Sequence, residues 1–264
     1  MISPDARLYM LATSHPARAA QRMLQHKRIA HRLVYLLPGI HPWLLRCAGF
    51  SGPTVPALEL GAERIQGSRS ISRRLDDLKP EPRLFPEEPK LRTSVEEAER
   101  WGEDELQELV RRVFRWAAAH QQPLRRWLAE TGGIPLPGLA GALNVPVARR
   151  FARLSGADEA RVRADIEQLP AMLEEVDRLI ESRAIGSATP NAADFQIGSS
   201  VRVLMTFPQL RLPIERLAAG ELARRVFPRY PEPIPVELPV TPEWGRRAGD
   251  VTAHRAGGHE SSPR

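Results

Sequence analysis

Lysine is nearly missing from this 264-residue chain: Lys27, Lys79 and Lys90 are the only lysines among 38 basic residues, and the rest are arginine. The arginines are scattered and accompanied by Asp or Glu. The formal charge of +6 therefore describes a solvated mixed-charge surface, and no nucleic-acid partner is expected. Cysteine is rarer still. A single Cys47 excludes an internal disulfide, a multi-cysteine metal site and a CxxC redox pair. Beside Leu44, Leu45 and Phe50 it reads as a packing residue, with a catalytic thiol as the alternative. No apolar run approaches the roughly 18 residues that cross a bilayer, so no membrane span is expected. The opening "MISPDARLYMLATSHP" lacks a basic region followed by a long apolar core. That argues against a secretory signal and for a cytoplasmic protein.

What is present is an ordinary globular balance, 42% hydrophobic and 27% charged, long enough for one large domain or two smaller ones. The pattern along the chain favours two. "RLYMLA" (7–12) is a β-prone segment, and "SHPARAAQRMLQHKRI" then turns helical with Pro16 near the first helical position. "AHRLVYLL" supplies a second strand, and "PGIHPWLLRCAGFSGP" is an irregular connection with room for one helical turn. "TVPALEL", "GA" and "ERIQ" read as strand, turn and strand, and "GSRSISRRLDDL" as a helix with Ser68, Ile71 and Leu75 or Leu78 on one face. The crossover helix makes the first two strands parallel and the hairpin adds antiparallel ones. Pro56 interrupts the apolar run Val55, Ala57, Leu58 and Leu60. Since proline cannot donate to a ladder, it marks an edge, a first strand position or a cis Val55–Pro56 bond.

Residues 81–90 are rich in proline and charge and read as a linker anchored by Leu84 and Phe85. From 91 to 228 the character is helical. A stripe of Ala98, Trp101, Leu106, Leu109, Val113, Trp116 and Ala117 is either core or the wall of a cleft. Pro170 should kink its helix or mark a fresh start, and Arg149, Arg150 and Arg153 read as a solvated helix face. Residues 229–264 form a proline-dense strap and a disordered tail. His254 and His259 in that tail have no companion ligands, so no metal is expected.

Taken together, these pieces resemble the cytosolic glutathione transferase family. "LYMLATSHPARAAQRML" is similar to its opening strand, active-site loop and first helix, "TVPAL" to its Val-Pro element, "GSRSI" to its Glu-Ser-x-Ala-Ile element, and "IGSATPNAADFQI" to its Gly, then Thr-x-Ala-Asp stretch. The resemblance covers roughly residues 6–210. It implies a thioredoxin-like α/β domain over residues 1–80 followed by an all-helical domain, in a homodimer. It also implies a Pro56 that begins a strand in the cis form and frees the Val55 main chain to bind the cysteinyl backbone of glutathione. Ser14 falls in the family's catalytic loop and is either a hydroxyl donor to the thiolate or a simple helix cap. Ser68 matches the serine that binds the γ-glutamyl carboxylate, and Arg69 adjoins it. Gly67 stands where the family carries an acid. Asn191 and Asp194 match its structural capping box. Tyr9 is assigned to core packing, and His15 and His41 to solvent or to capping. The function implied is activation of glutathione, or of another low-molecular-weight thiol, for attack on an apolar electrophile without a metal. The alternative is a non-catalytic binding or scaffold protein on the same fold.

Overall fold

The computed structural model describes residues 6–230, 234 and 236–239. Strand β1 (Ala6–Met10) buries Ala6, Leu8 and Met10 on one face, as a period of two requires. Helix α1 (His15–His26) carries the chain across to β2 (His31–Tyr35), which pairs parallel to β1 with Leu8 opposite Leu33. Strand β3 (Ala57–Leu60) runs antiparallel to β1, and β4 (Glu63–Gln66) closes the hairpin, giving the order β2-β1-β3-β4. The tight turn between β3 and β4 places Gly61 at φ 59, where a side chain would be strained. Helix α3 (Ser68–Leu78) then packs Ile71 and Leu75 against the sheet. This is the expected thioredoxin-like domain.

Three features of this domain depart from expectation. Helix α2 (His41–Cys47) spans seven residues rather than one turn, opened by Pro42 in its first turn. It points Leu45 into the core and leaves Cys47 exposed, so the cysteine is not a packing residue. Two residues along a helix is a rotation of about 200°, which sends them to opposite sides. Tyr9 is also only half-buried. Its ring meets Phe50 edge-on at 5.3 Å between centroids, while its hydroxyl donates to Glu59 Oε2 at 2.8 Å. The Val55–Pro56 bond is cis and Pro56 stands just ahead of β3.

The segment joining the two halves is held by a fully buried lysine. Lys27, at 0% exposure, donates its ammonium to the Asp76 carboxylate, to Lys79 O at 2.7 Å and to Pro80 O at 3.2 Å. Asp76 also accepts from the Leu84 N–H at 2.7 Å, and Leu84 and Phe85 are buried as the expected anchor.

The second half is helical: α4 (Pro89–Trp101), a π-helical turn (Gly102–Leu106), α5 (Gln107–His120), α6 (Gln122–Thr131), α7 (Pro137–Leu143), α8 (Val145–Leu154), α9 (Glu159–Glu181), α10 (Ala192–Leu204), α11 (Pro208–Glu215) and α12 (Ala218–Val226). A Cβ on Gly102 would come within 2.7 Å of Ile197 Cγ1, so the glycine lets α10 approach the π turn. The stripe is core: Ala98, Leu106, Leu109, Val113, Trp116 and Ala117 are buried. Helix α9 continues through Pro170 without ending there, contrary to a fresh start. Arg149, Arg150 and Arg153 are exposed. Helix α10 is buried over nearly its whole length and starts with a complete capping box. Asp194 N donates to Asn191 Oδ1 at 3.1 Å and Asn191 N to Asp194 Oδ2 at 2.8 Å. Past α12, Ile234, Val236 and Leu238 bury their side chains, with Ile234 N donating to Thr206 O at 2.9 Å. The described part of the strap therefore docks on the helical half. The remainder of the expected tail, with His254 and His259, lies outside the described residues.

Candidate functional site

Pro16 fixes the backbone of the first turn of α1, and the residue ahead of that turn must satisfy its free N–H groups. Ser14 does so. Its Oγ accepts from the Ala17 N–H at 3.4 Å, and its own N–H donates to Leu11 O at 3.0 Å. Because Oγ acts there as an acceptor, its hydrogen stays available to donate elsewhere. Ser14 also lines a cavity of about 730 Å³ between the sheet domain and the helices. Capping and a place at the site thus belong to the same residue.

Val55 lies on the wall of the same cavity, and its main chain makes no hydrogen bond among the described residues. The loop before it is pinned by Gln66, whose side chain accepts from the Gly52 N–H at 2.6 Å and donates to Gly52 O at 2.9 Å and Thr54 O at 3.1 Å. Pro56 accepts from the Gly67 N–H at 3.0 Å, a bond that sets the start of α3 against the Val55–Pro56 element.

Ser68 and Arg69 are not on the cavity wall. Ser68 is 1% exposed and its Oγ has no hydrogen-bond partner among the described residues, an expensive state for a buried hydroxyl. Arg69 reaches across to the helical half, with its Nε 3.6 Å from Glu103 Oε2. Burial pushes the Glu103 carboxyl up, against the pull of Arg69. Gly67 sits at φ 88 with open space where a Cβ would stand. An acidic residue there would find room for its side chain but strain its backbone.

Most of the cavity's lining, polar residues included, escaped the sequence. His15 and His41, expected at solvent or in caps, are 7% and 8% exposed and line the cavity. Neither His15 Nε2 nor His41 Nδ1 has a partner among the described residues. Burial, with the Arg111 and Arg115 charges second, holds the His15 imidazole down to about 3. Burial and Arg115 lower His41 in the same direction. Both rings are neutral at pH 7. Arg111 and Arg115 themselves come from α5, on the side that also presents Phe114 and Ala118 to the cavity. The cleft wall is therefore the face of α5 next to the core stripe, not the stripe itself. Spacing could have flagged it: Arg111, Phe114, Arg115 and Ala118 recur at intervals of three and four.

Residues 8–83 match the family model described as the glutathione S-transferase N-terminal domain. The first domain is thus similar to the N-terminal domain of glutathione S-transferases. Most of the chain shares the fold of solved glutathione S-transferases. A glutathione S-transferase from Rhodospirillum rubrum F11 is 18% identical, with 92% of this chain and 99% of that one covered and a TM-score of 0.58. The theta class glutathione S-transferase from Xanthomonas axonopodis pv. citri, solved with glutathione bound, is 16% identical over 98% and 99% of the two chains, with a TM-score of 0.54. FzlA from C. crescentus, 16% identical over 92% and 99%, gives 0.59. Comparison with curated protein sequences finds no match. Among the described residues, no helix is long and apolar enough to cross a membrane, and no His, Cys, Asp and Glu cluster could hold a metal ion.

Proposed function

We propose that the protein is a glutathione S-transferase-type enzyme that activates a small thiol, glutathione or another of low molecular weight, for attack on an apolar electrophile. The observation that carries this is that Ser14 and Val55 line the same cavity, the Val55 main chain making no hydrogen bond among the described residues. Val55 N–H and C=O offer a strand-like edge to the cysteinyl backbone of the thiol. That contact brings the sulfur to the start of α1. There the Ser14 O–H and the positive end of the helix favour thiolate over thiol. The S–H proton leaves to solvent, the thiolate forms a C–S bond at the electrophilic carbon, and a leaving group or a new carbanion carries away the electron pair. Ser68 and the N-terminus of α3 receive the γ-glutamyl carboxylate. A homodimer in the cytoplasm is proposed from the resemblance alone.

A second reading, a binding or scaffold protein without chemistry, is favoured by Gly67 and by the covered Ser68 Oγ. The test is calorimetric titration with a panel of thiols, followed by conjugation assays with aryl halides. Thiol binding with turnover supports the enzyme. Thiol binding without turnover on any electrophile, or no thiol binding, selects the second reading.

A further inference from the structure

The cavity wall is unbalanced in charge. Arg111, Arg115 and Arg125 line it, and no aspartate or glutamate does among the described residues. Two of the three arginines are occupied. Arg111 pairs with Glu108, and Arg125 donates to Gly141 O and Ala118 O, both at 2.9 Å, and to Ala119 O at 3.3 Å. Arg115 has no hydrogen bond and no ion pair among the described residues. Its guanidinium lies 5.5 Å from the centre of the Phe151 ring, which restrains the plane without using the donors. Burial holds Arg115 down to about 10, so it remains charged at neutral pH. A half-buried guanidinium with all its donors free is costly unless a ligand completes it.

We infer that the molecule received by this cavity is an apolar acid: a hydrophobic body carrying one carboxylate or comparable anion, seated with that anion on Arg115. Assigning it to the electrophile rests on the thiol-transfer reading above. The neutral rings of His15 and His41 lie close enough to Arg115 to feel its charge, and each has a ring nitrogen free to donate to the same anion. The body of the ligand meets Phe114, Leu128 and Val147 inside and the exposed Tyr35, Leu37 and Leu143 at the mouth. The volume of about 730 Å³ suits a drug-sized molecule.

The test is a matched pair of fluorescent probes, anilinonaphthalene sulfonate and phenylnaphthylamine, which share one aromatic body and differ by the anion. Arg115→Met should weaken the sulfonate by about tenfold or more, as loss of a charged hydrogen bond does, and leave the neutral probe within about twofold. Arg115→Lys should restore part of the difference, and Arg115→Gln repeats the test should the apolar replacement unfold. Equal effects on both probes, or none on either, overturn the inference. Glutathione titrated into the same variants separates the two proposals. A loss of glutathione affinity with the probe ratio unchanged would assign Arg115 to the thiol and overturn the inference while leaving the transferase reading intact. A changed ratio in a protein that binds no thiol supports the anion site and removes the transferase reading.

Discussion

Ser68→Ala should separate ligand recognition from folding, because the structure gives Ser68 Oγ nothing to lose on folding. The hydroxyl is buried and unpartnered among the described residues, so the folded state already bears the cost of removing it from water. Replacing it by hydrogen relieves part of that cost, about 1–3 kcal/mol for an unsatisfied buried group. It leaves a void smaller than a methylene, worth about 1 kcal/mol or less. Urea unfolding of Ser68→Ala should therefore show a free energy equal to or above wild type, with the slope unchanged. The thiol ligand meets a different balance. A hydrogen bond to a carboxylate is worth about 1.5–3 kcal/mol, so calorimetry should show glutathione binding weakened by about 10- to 150-fold. The contact is made equally before and during reaction, so kcat at saturation should hold and KM rise. A variant destabilised by more than about 1 kcal/mol with glutathione affinity unchanged would refute the reasoning, since that pattern means the hydroxyl holds the fold together.

Lys27→Met should cost about 3–5 kcal/mol in urea unfolding, because it leaves the Asp76 carboxylate and the Lys79 and Pro80 carbonyls without their donor; a loss below 1 kcal/mol would mean water replaces the ammonium. Asn191→Ala should cost about 2 kcal/mol, more than a simple cap, since Asn191 Nδ2 also donates to Ala184 O at 2.8 Å. Ligand affinity should stay the same in that variant, as calorimetry would show. His15 titrates near 6.5 when unfolded and near 3 when folded, so its contribution is present above about 6.5 and is lost as pH falls toward 3. Between pH 6.5 and 4.5 wild type should lose about 2–3 kcal/mol more than His15→Gln in paired urea titrations. Parallel curves would show that water reaches the ring.

The sheet domain was readable because its signals are local: Pro16 opens α1, alternation marks β1, and the Val-Pro pair stands before β3. The capping box of α10 was equally local, since Asn191 and Asp194 satisfy each other within one turn. Cys47 was misplaced because apolar neighbours in sequence say nothing of helix phase, and α2 was expected to be a single turn. Tyr9 faces the side of the sheet where Glu59 takes its hydroxyl, a partner 50 residues away. The cavity was hidden for the same reason. His15 and His41 become buried when α5 and α8 close over the loops of the first domain, and Arg115 is unpaired among the described residues because no acid from another of their elements arrives beside it. A single sequence lists charges but not which of them meet.

The most direct test of thiol activation is the ultraviolet absorbance of bound glutathione as thiolate, followed against pH in wild type and in Ser14→Ala. The bound thiol should titrate well below its free value near 8.5 in wild type and move back toward that value in the variant, with affinity little changed, because Ser14 stabilises only the charged form. No thiolate signal in wild type at neutral pH, or the same titration in both proteins, would contradict it.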